Sequence, residues 1–176
     1  MSLRRRRERT GFTALELLFI ITVIAILAVL VFPVVANVRN RPEAIRCMQH
    51  MRALHSSFSA YILDRGHWPQ QPFDITSEEG VASWWLSEMK DFGAPPEVWQ
   101  CPTLARELSE GKRTREETPT LHFVPGHFDR NQFSPYRWST QPWLASLCDH
   151  GEGSLILFPD GHIETFQQIY QRLAKK

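Results

Sequence analysis

The feature that most limits what this chain can fold into is the run from Leu17 to Ala36, twenty residues in which Thr22 is the only polar member. At about 1.5 Å of rise per residue such a run reaches about 30 Å as one helix, the thickness of a bilayer's hydrocarbon core. A membrane span is therefore expected. Glu16 stands at its entrance, where a carboxylate is costly to hold in hydrocarbon and so marks a functional position. Arg4, Arg5, Arg6, Arg7 and Arg9 precede it, and positive charge on that flank predicts a cytoplasmic amino terminus with the body of the chain outside the cytoplasm.

Charge and length bound the rest. The leader carries +4 once Glu8 is counted, the whole chain +1, and the remainder therefore −3. Nothing basic is left to bind nucleic acid, so no such partner is expected. Of 176 residues about 140 remain for a soluble part, enough for one modest core.

Gly11-Phe12-Thr13-Ala14-Leu15-Glu16 together with the apolar run resembles the amino terminus of type IV pilins and type II secretion pseudopilins. A basic leader ending in glycine, an acid as the fifth residue after the cut, and Pro33 within the span carry the resemblance. It implies that a prepilin peptidase cleaves between Gly11 and Phe12 and methylates the new amine. It further implies that Glu16 pairs with the Phe12 amine of a neighbouring subunit. The fold implied is α+β: a long bent amino-terminal helix, membrane-spanning in its first half, packed on a small carboxy-terminal antiparallel β-sheet. The expected organisation is a cleaved leader (1–11), a transmembrane and assembly helix (12–36), an amphipathic stalk helix (37–65) and an exported α+β region (66–176). The partners implied are the membrane, the peptidase and other pilin or pseudopilin subunits. The location implied is the bacterial inner membrane, single-pass, with the globular part periplasmic or extracellular. An ordinary signal peptide cut after Val34-Val35-Ala36 competes with this reading, but the apolar region exceeds the usual length of about 7–15 residues and carries Glu16. Export follows either way.

Pro33 and Pro42 each remove a backbone donor and clash with the preceding turn, so each is expected to bend or locally break the helix. Beyond Pro42, the residues Ala44, Cys47, Met51, Leu54, Phe58 and Tyr61 recur at alternating intervals of three and four. That spacing predicts an amphipathic helix with one face to be covered. Gly66 ends it. Thr76 or Ser77 can cap a second helix from Glu78 to about Asp91, and Gly93-Ala94-Pro95-Pro96 closes that helix. Its paired Trp84 and Trp85 are expected in the core, with a partner surface as the alternative. Residues 103–120 read as a solvated loop or short helix, and the aromatics of 121–142 suggest strand pieces cut short by Pro125, Gly126, Pro135 and Pro142. A meander of about three strands is expected over Trp143 to Cys148, Ser154 to Phe158 and His162 to Phe166. Pro159-Asp160-Gly161 forms its tight turn and a helical tail follows.

One spacing could carry chemistry: His150, nine intervening residues, then Asp160-Gly161. It resembles the carboxy-terminal signature of prepilin-type proteins from planctomycete and verrucomicrobial genomes, as do Arg46-Cys47-Met48 with Leu54, Gly66 to Pro69, and Cys101-Pro102. The resemblance implies a processing-associated role. The residues themselves favour a structural one, with His150 entering a hairpin whose turn Asp160-Gly161 makes.

Three cysteines permit at most one disulfide within the chain. Cys101 with Cys148 is the expected pair and Cys47 fits a helix core face; equally, all three serve as small buried hydrophobes. Among metals, Asp149, Glu152 and Asp160 are oxygen donors that calcium would accept. Zinc could use Cys148, His150 and His162, although no paired spacing of zinc ligands is present. The expectation is no resident cofactor or metal. No phosphate-cradling glycine loop or oxyanion donor accompanies these residues, so no enzyme is expected. The function expected is that of a structural subunit of a type IV pilus or type II secretion-type filament. The alternative is a membrane-anchored extracytoplasmic binding module that holds a ligand or cargo on aromatic surfaces.

Overall fold

The computed structural model describes residues 14–151 and 153–175, and for 29–41 the backbone only. The chain forms two compact units, Met1–Arg39 and Asn40–Lys176, taken separately below. Helix α1 (Ala14–Arg65) contributes to both. It is assigned through Pro33 and Pro42 without interruption, so the local break that each proline could impose does not occur. A proline inside a helix costs one backbone hydrogen bond, and the bonded turns on either side can carry the helix through.

In the first unit every described side chain from 14 to 28 is exposed, including Leu15, Leu18 and Phe19. Among the described residues no helix is long and apolar enough to cross a membrane. The expected span of 12–36 lies partly outside them, at 12–13 and in the side chains of 29–36.

The second unit is α+β. The stripe on α1 is buried as the periodicity requires: Cys47, Met51, Leu54, Phe58, Tyr61 and Ile62 all face the core. Each large apolar side chain so buried contributes about 1.5–3 kcal/mol. Phe58 stacks flat on Trp68 with ring centroids 4.5 Å apart and meets Trp85 and Trp99 edge-on. Helix α2 (Glu78–Met89) starts where the Ser77 side chain accepts a hydrogen bond from the Gly80 N–H, with Glu78 and Glu79 at the positive end of its dipole. A further turn, Lys90–Phe92, ends on Gly93 at φ 85°, a conformation that glycine adopts without strain. Trp85 is buried and Trp84 packs partly buried against the core.

Helix α3 (Pro102–Ser109) follows, with Cys101 as its N-cap residue and Pro102 in the first turn, the position where a missing N–H costs nothing. Four antiparallel strands then form one sheet in the order β1 (Phe123–Pro125), β2 (Leu144–Asp149), β3 (Ser154–Leu157) and β4 (Ile163–Thr165). The sheet is one strand larger than the expected meander. The added strand, β1, pairs Phe123 with Ser146 and Pro125 with Leu144, and its three residues are too few to show a period. Along β2 the side chains of Leu144, Ser146 and Cys148 point inward. The pairing of β2 with β3 shifts register between Ala145 and Asp149. There the buried Ser146 hydroxyl accepts from the Leu155 N–H and donates to the Cys148 carbonyl, satisfying groups that the irregular ladder leaves over. Helix α4 (Phe166–Ala174) closes the chain behind a capping box of Thr165 and Gln168.

Candidate functional site

Where α1, the start of α3 and the end of β2 meet, the chain gathers Cys47, Cys101, Cys148 and His150. Their three sulfurs and one imidazole nitrogen all lie within 4.8 Å of one another. Cys47 arrives on the buried stripe of α1. Cys101 stands in extended conformation just before α3. Cys148 points inward from β2, and strand alternation brings His150 to the same face two residues later. Among the described residues this is the one group of three or more cysteine, histidine or acidic side chains arranged to hold a metal.

The sulfurs are buried and none is in a disulfide. The expected Cys101–Cys148 bond is therefore not formed, and Cys101 also has Cys47 as a neighbour, with their Sγ atoms 2.8 Å apart. A disulfide requires about 2.05 Å. Hydrogen bonds from Cys148 and Cys47 push the Cys101 thiol down, toward the thiolate, and a backbone N–H of α3, that of Leu104, also points at its sulfur. The same contacts with Cys101 push the thiols of Cys47 and Cys148 up. The Cys47 thiol donates to the Cys101 sulfur.

The surroundings hold these groups in place. The Cys101 N–H donates to Nδ1 of the buried His122 at 2.7 Å, which fixes that ring's proton on Nε2. Burial lowers the basicity of His122 and keeps it neutral. His150 directs Nδ1 at the Thr103 hydroxyl, 3.2 Å away, and Nε2 toward the Cys101 sulfur at 3.8 Å. Thr103 also hydrogen-bonds Glu43, and Arg106 grips the Glu43 carboxylate with two nitrogens at 2.6 and 3.2 Å. A relay of four side chains therefore runs from the imidazole to a guanidinium.

The spacing from His150 to Asp160-Gly161 acquires a physical meaning here. Asp160 Oδ1 accepts from the His162 N–H and lies against its Nδ1, and Gly161 turns the chain at φ 82°. A Cβ on Gly161 would sit 3.4 Å from the His55 ring. His55 in turn donates from Nε2 to the Pro159 carbonyl at 2.9 Å and stacks on Trp143. One end of the β2–β3–β4 segment thus touches α1 near Cys47 and the other touches it at His55, about 12 Å farther along the helix. A four-residue strand such as β3 covers about 13 Å.

Other expected site residues fall elsewhere. Asp149 Oδ1 accepts from the N–H groups of Gly151 and Gly153, and Asp160 serves its own turn. Neither joins a group of three ligands among the described residues. Glu152, the third calcium candidate, lies outside the described residues, as do the processing residues Gly11 and Phe12. Glu16 is in the first turn of α1, exposed. Of the three residues that zinc could have used, His162 lies apart, paired with Asp160 on the surface, while Cys47 and Cys101 join Cys148 and His150. Three of these four residues stand in sequence fragments already singled out: Arg46-Cys47-Met48, Cys101-Pro102 and His150 with Asp160-Gly161. No family model, curated protein or solved structure matches the chain.

Proposed function

We propose that the protein is a structural subunit of a pilin or pseudopilin type, stored in the inner membrane by its amino-terminal helix and assembled through it into a filament. The observation that carries this reading is the exposure of α1 from residue 14 to 28. This stretch is apolar on every side. An amphipathic helix can satisfy itself against its own core, but a helix apolar all round needs apolar surroundings from outside. Bilayer and neighbouring helices both supply them. Glu16 is the charged exception, and in this reading it meets the methylated Phe12 amine of the next subunit, so that neither charge enters the apolar interior alone. The second unit is then the part displayed on the surface, its fold complete without the first.

Shearing of cells that produce the protein tests the reading. The subunit is expected in the sheared filament fraction, and Glu16→Ala is expected to leave it in the membrane at unchanged abundance. If the wild-type protein stays wholly in membranes as dispersed monomer, the alternative of an anchored binding module takes over. That alternative has lost the buried Trp85 and keeps the exposed Phe133 and Trp138 as its surface.

A further inference from the structure

We propose that Cys47, Cys101, Cys148 and His150 bind one zinc ion through three sulfurs and the Nε2 of His150, forming a closed structural site that ties α1 to α3 and to the end of β2. Zinc–sulfur bonds of about 2.3 Å and zinc–nitrogen bonds of about 2.0–2.1 Å place the donors of a tetrahedral site about 3.5–3.8 Å apart. The Cys101 sulfur and the His150 nitrogen are 3.8 Å apart, and all four donors fall within 4.8 Å. The Cys47 and Cys101 sulfurs, at 2.8 Å, separate by about 1 Å to reach that geometry.

A disulfide between those two is the competing use of the site, and the other two donors argue against it. It would consume two sulfurs and leave a buried Cys148 thiol and an oriented imidazole converging on an oxidised bond that uses neither. A zinc ion uses all four. Three soft sulfurs with one imidazole select zinc over the hard cations magnesium and calcium. Four protein donors leave no coordination position for water or substrate, which makes the site structural rather than catalytic.

The environment is that of a ligand set. Cys101 immediately precedes α3, and the Leu104 backbone N–H of that helix points at its sulfur. His150 donates Nδ1–H to Thr103, Thr103 donates to Glu43, and Arg106 holds Glu43. That relay fixes the tautomer that leaves the Nε2 lone pair free for a metal. On binding, the thiol protons pass to solvent and the folded unit gains the binding free energy. Zinc at this position does not depend on processing or assembly of the amino terminus, so the two proposals fail separately.

The test uses the full chain purified in detergent, with metal content and thiol state measured on the same sample and cobalt(II) exchanged for the native ion. The expected result is about one zinc per chain. Cobalt should give the d–d absorption of a tetrahedral centre and a thiolate-to-cobalt charge-transfer band. His150→Cys should keep the metal and raise that band by about a third, four thiolates replacing three. Thr103→Val should keep the fold and the tetrahedral spectrum but bind zinc about 10–100-fold more weakly. Chelation should lower the thermal midpoint of the wild type and leave that of Cys148→Ser unmoved. A Cys47–Cys101 disulfide in the native protein, reduced thiols with less than about a tenth of a zinc per chain, iron or copper in zinc's place, or an octahedral cobalt spectrum would each overturn the proposal.

Discussion

Helix α1 contains two stretches with opposite relations to their surroundings. From Leu17 to Leu27 the side chains are apolar except Thr22 and all are exposed; from Cys47 to Ile62 they are apolar on one side and that side is buried. The later stretch finds its partner within its own unit, in the tryptophan-rich layer of Trp68, Trp85 and Trp99 and in the sheet. The proposed function gives the earlier stretch a partner from outside the chain. Helicity is common to both, so the circumference over which apolar residues are spread, rather than secondary structure, decides whether a segment packs within its own unit or assembles with something else.

A charge placed on each stretch tests the contrast most severely. Leu54→Asp puts an unsatisfied carboxylate in the core and is expected to cost more than about 4 kcal/mol, unfolding the second unit. Leu18→Asp is expected to move that unit's denaturation midpoint by less than about 0.5 kcal/mol, as exposed substitutions do, while abolishing membrane retention. Equal losses of stability from the two would end the distinction. Phe58→Ala comes next, at about 3–5 kcal/mol, because its ring fills the space among three tryptophans; urea denaturation of the full chain reads it.

A smaller effect, on the order of 1–2 kcal/mol, is expected from Glu43→Gln, which removes one charge of the pair with Arg106. Its signature is pH dependence. The hydrogen bonds from Arg106 hold the Glu43 carboxyl below its ordinary value of 4.5. A depressed folded-state value means that the stabilisation is complete above the ordinary value and disappears as pH falls through the lower one. Stability of the wild type should therefore fall over that interval below pH 4.5, and Glu43→Gln should flatten the fall. Ser77→Ala, which removes only the cap of α2, is expected to cost about 0.5–1 kcal/mol.

The legible parts of the fold were those whose pattern repeats within a few residues. The stripe on α1, the cap of α2 at Ser77 and the turn at Asp160-Gly161 each need only neighbours in sequence to be read. Strand β1 falls among the strand pieces expected over 121–142, but its place in the sheet was hidden because Pro125 and Gly126 cut it to three residues and its pairing partner lies about twenty residues away. The thiol cluster was hidden for a related reason. Cys47 and Cys101 are 54 residues apart, and each on its own reads as a small hydrophobe on a buried face. Cys148 and His150, two apart in sequence, and the expected pairing of Cys101 with Cys148 pointed to a shared site. The signal that could have found the rest is their company: Cys101, Cys148 and His150 each lie beside a residue that starts or stops an element, and Cys47 lies on the buried stripe, so the start of α3 and the end of β2 meet on α1.

The central claim, that the first stretch of α1 is an assembly segment made by processing, is tested most directly by the intact mass and amino-terminal peptide of the protein isolated from its native membrane. The account predicts a chain that begins at Phe12 and carries one methyl group on its amine. A chain that begins at Asn37, or that retains residues 1–11, would contradict it.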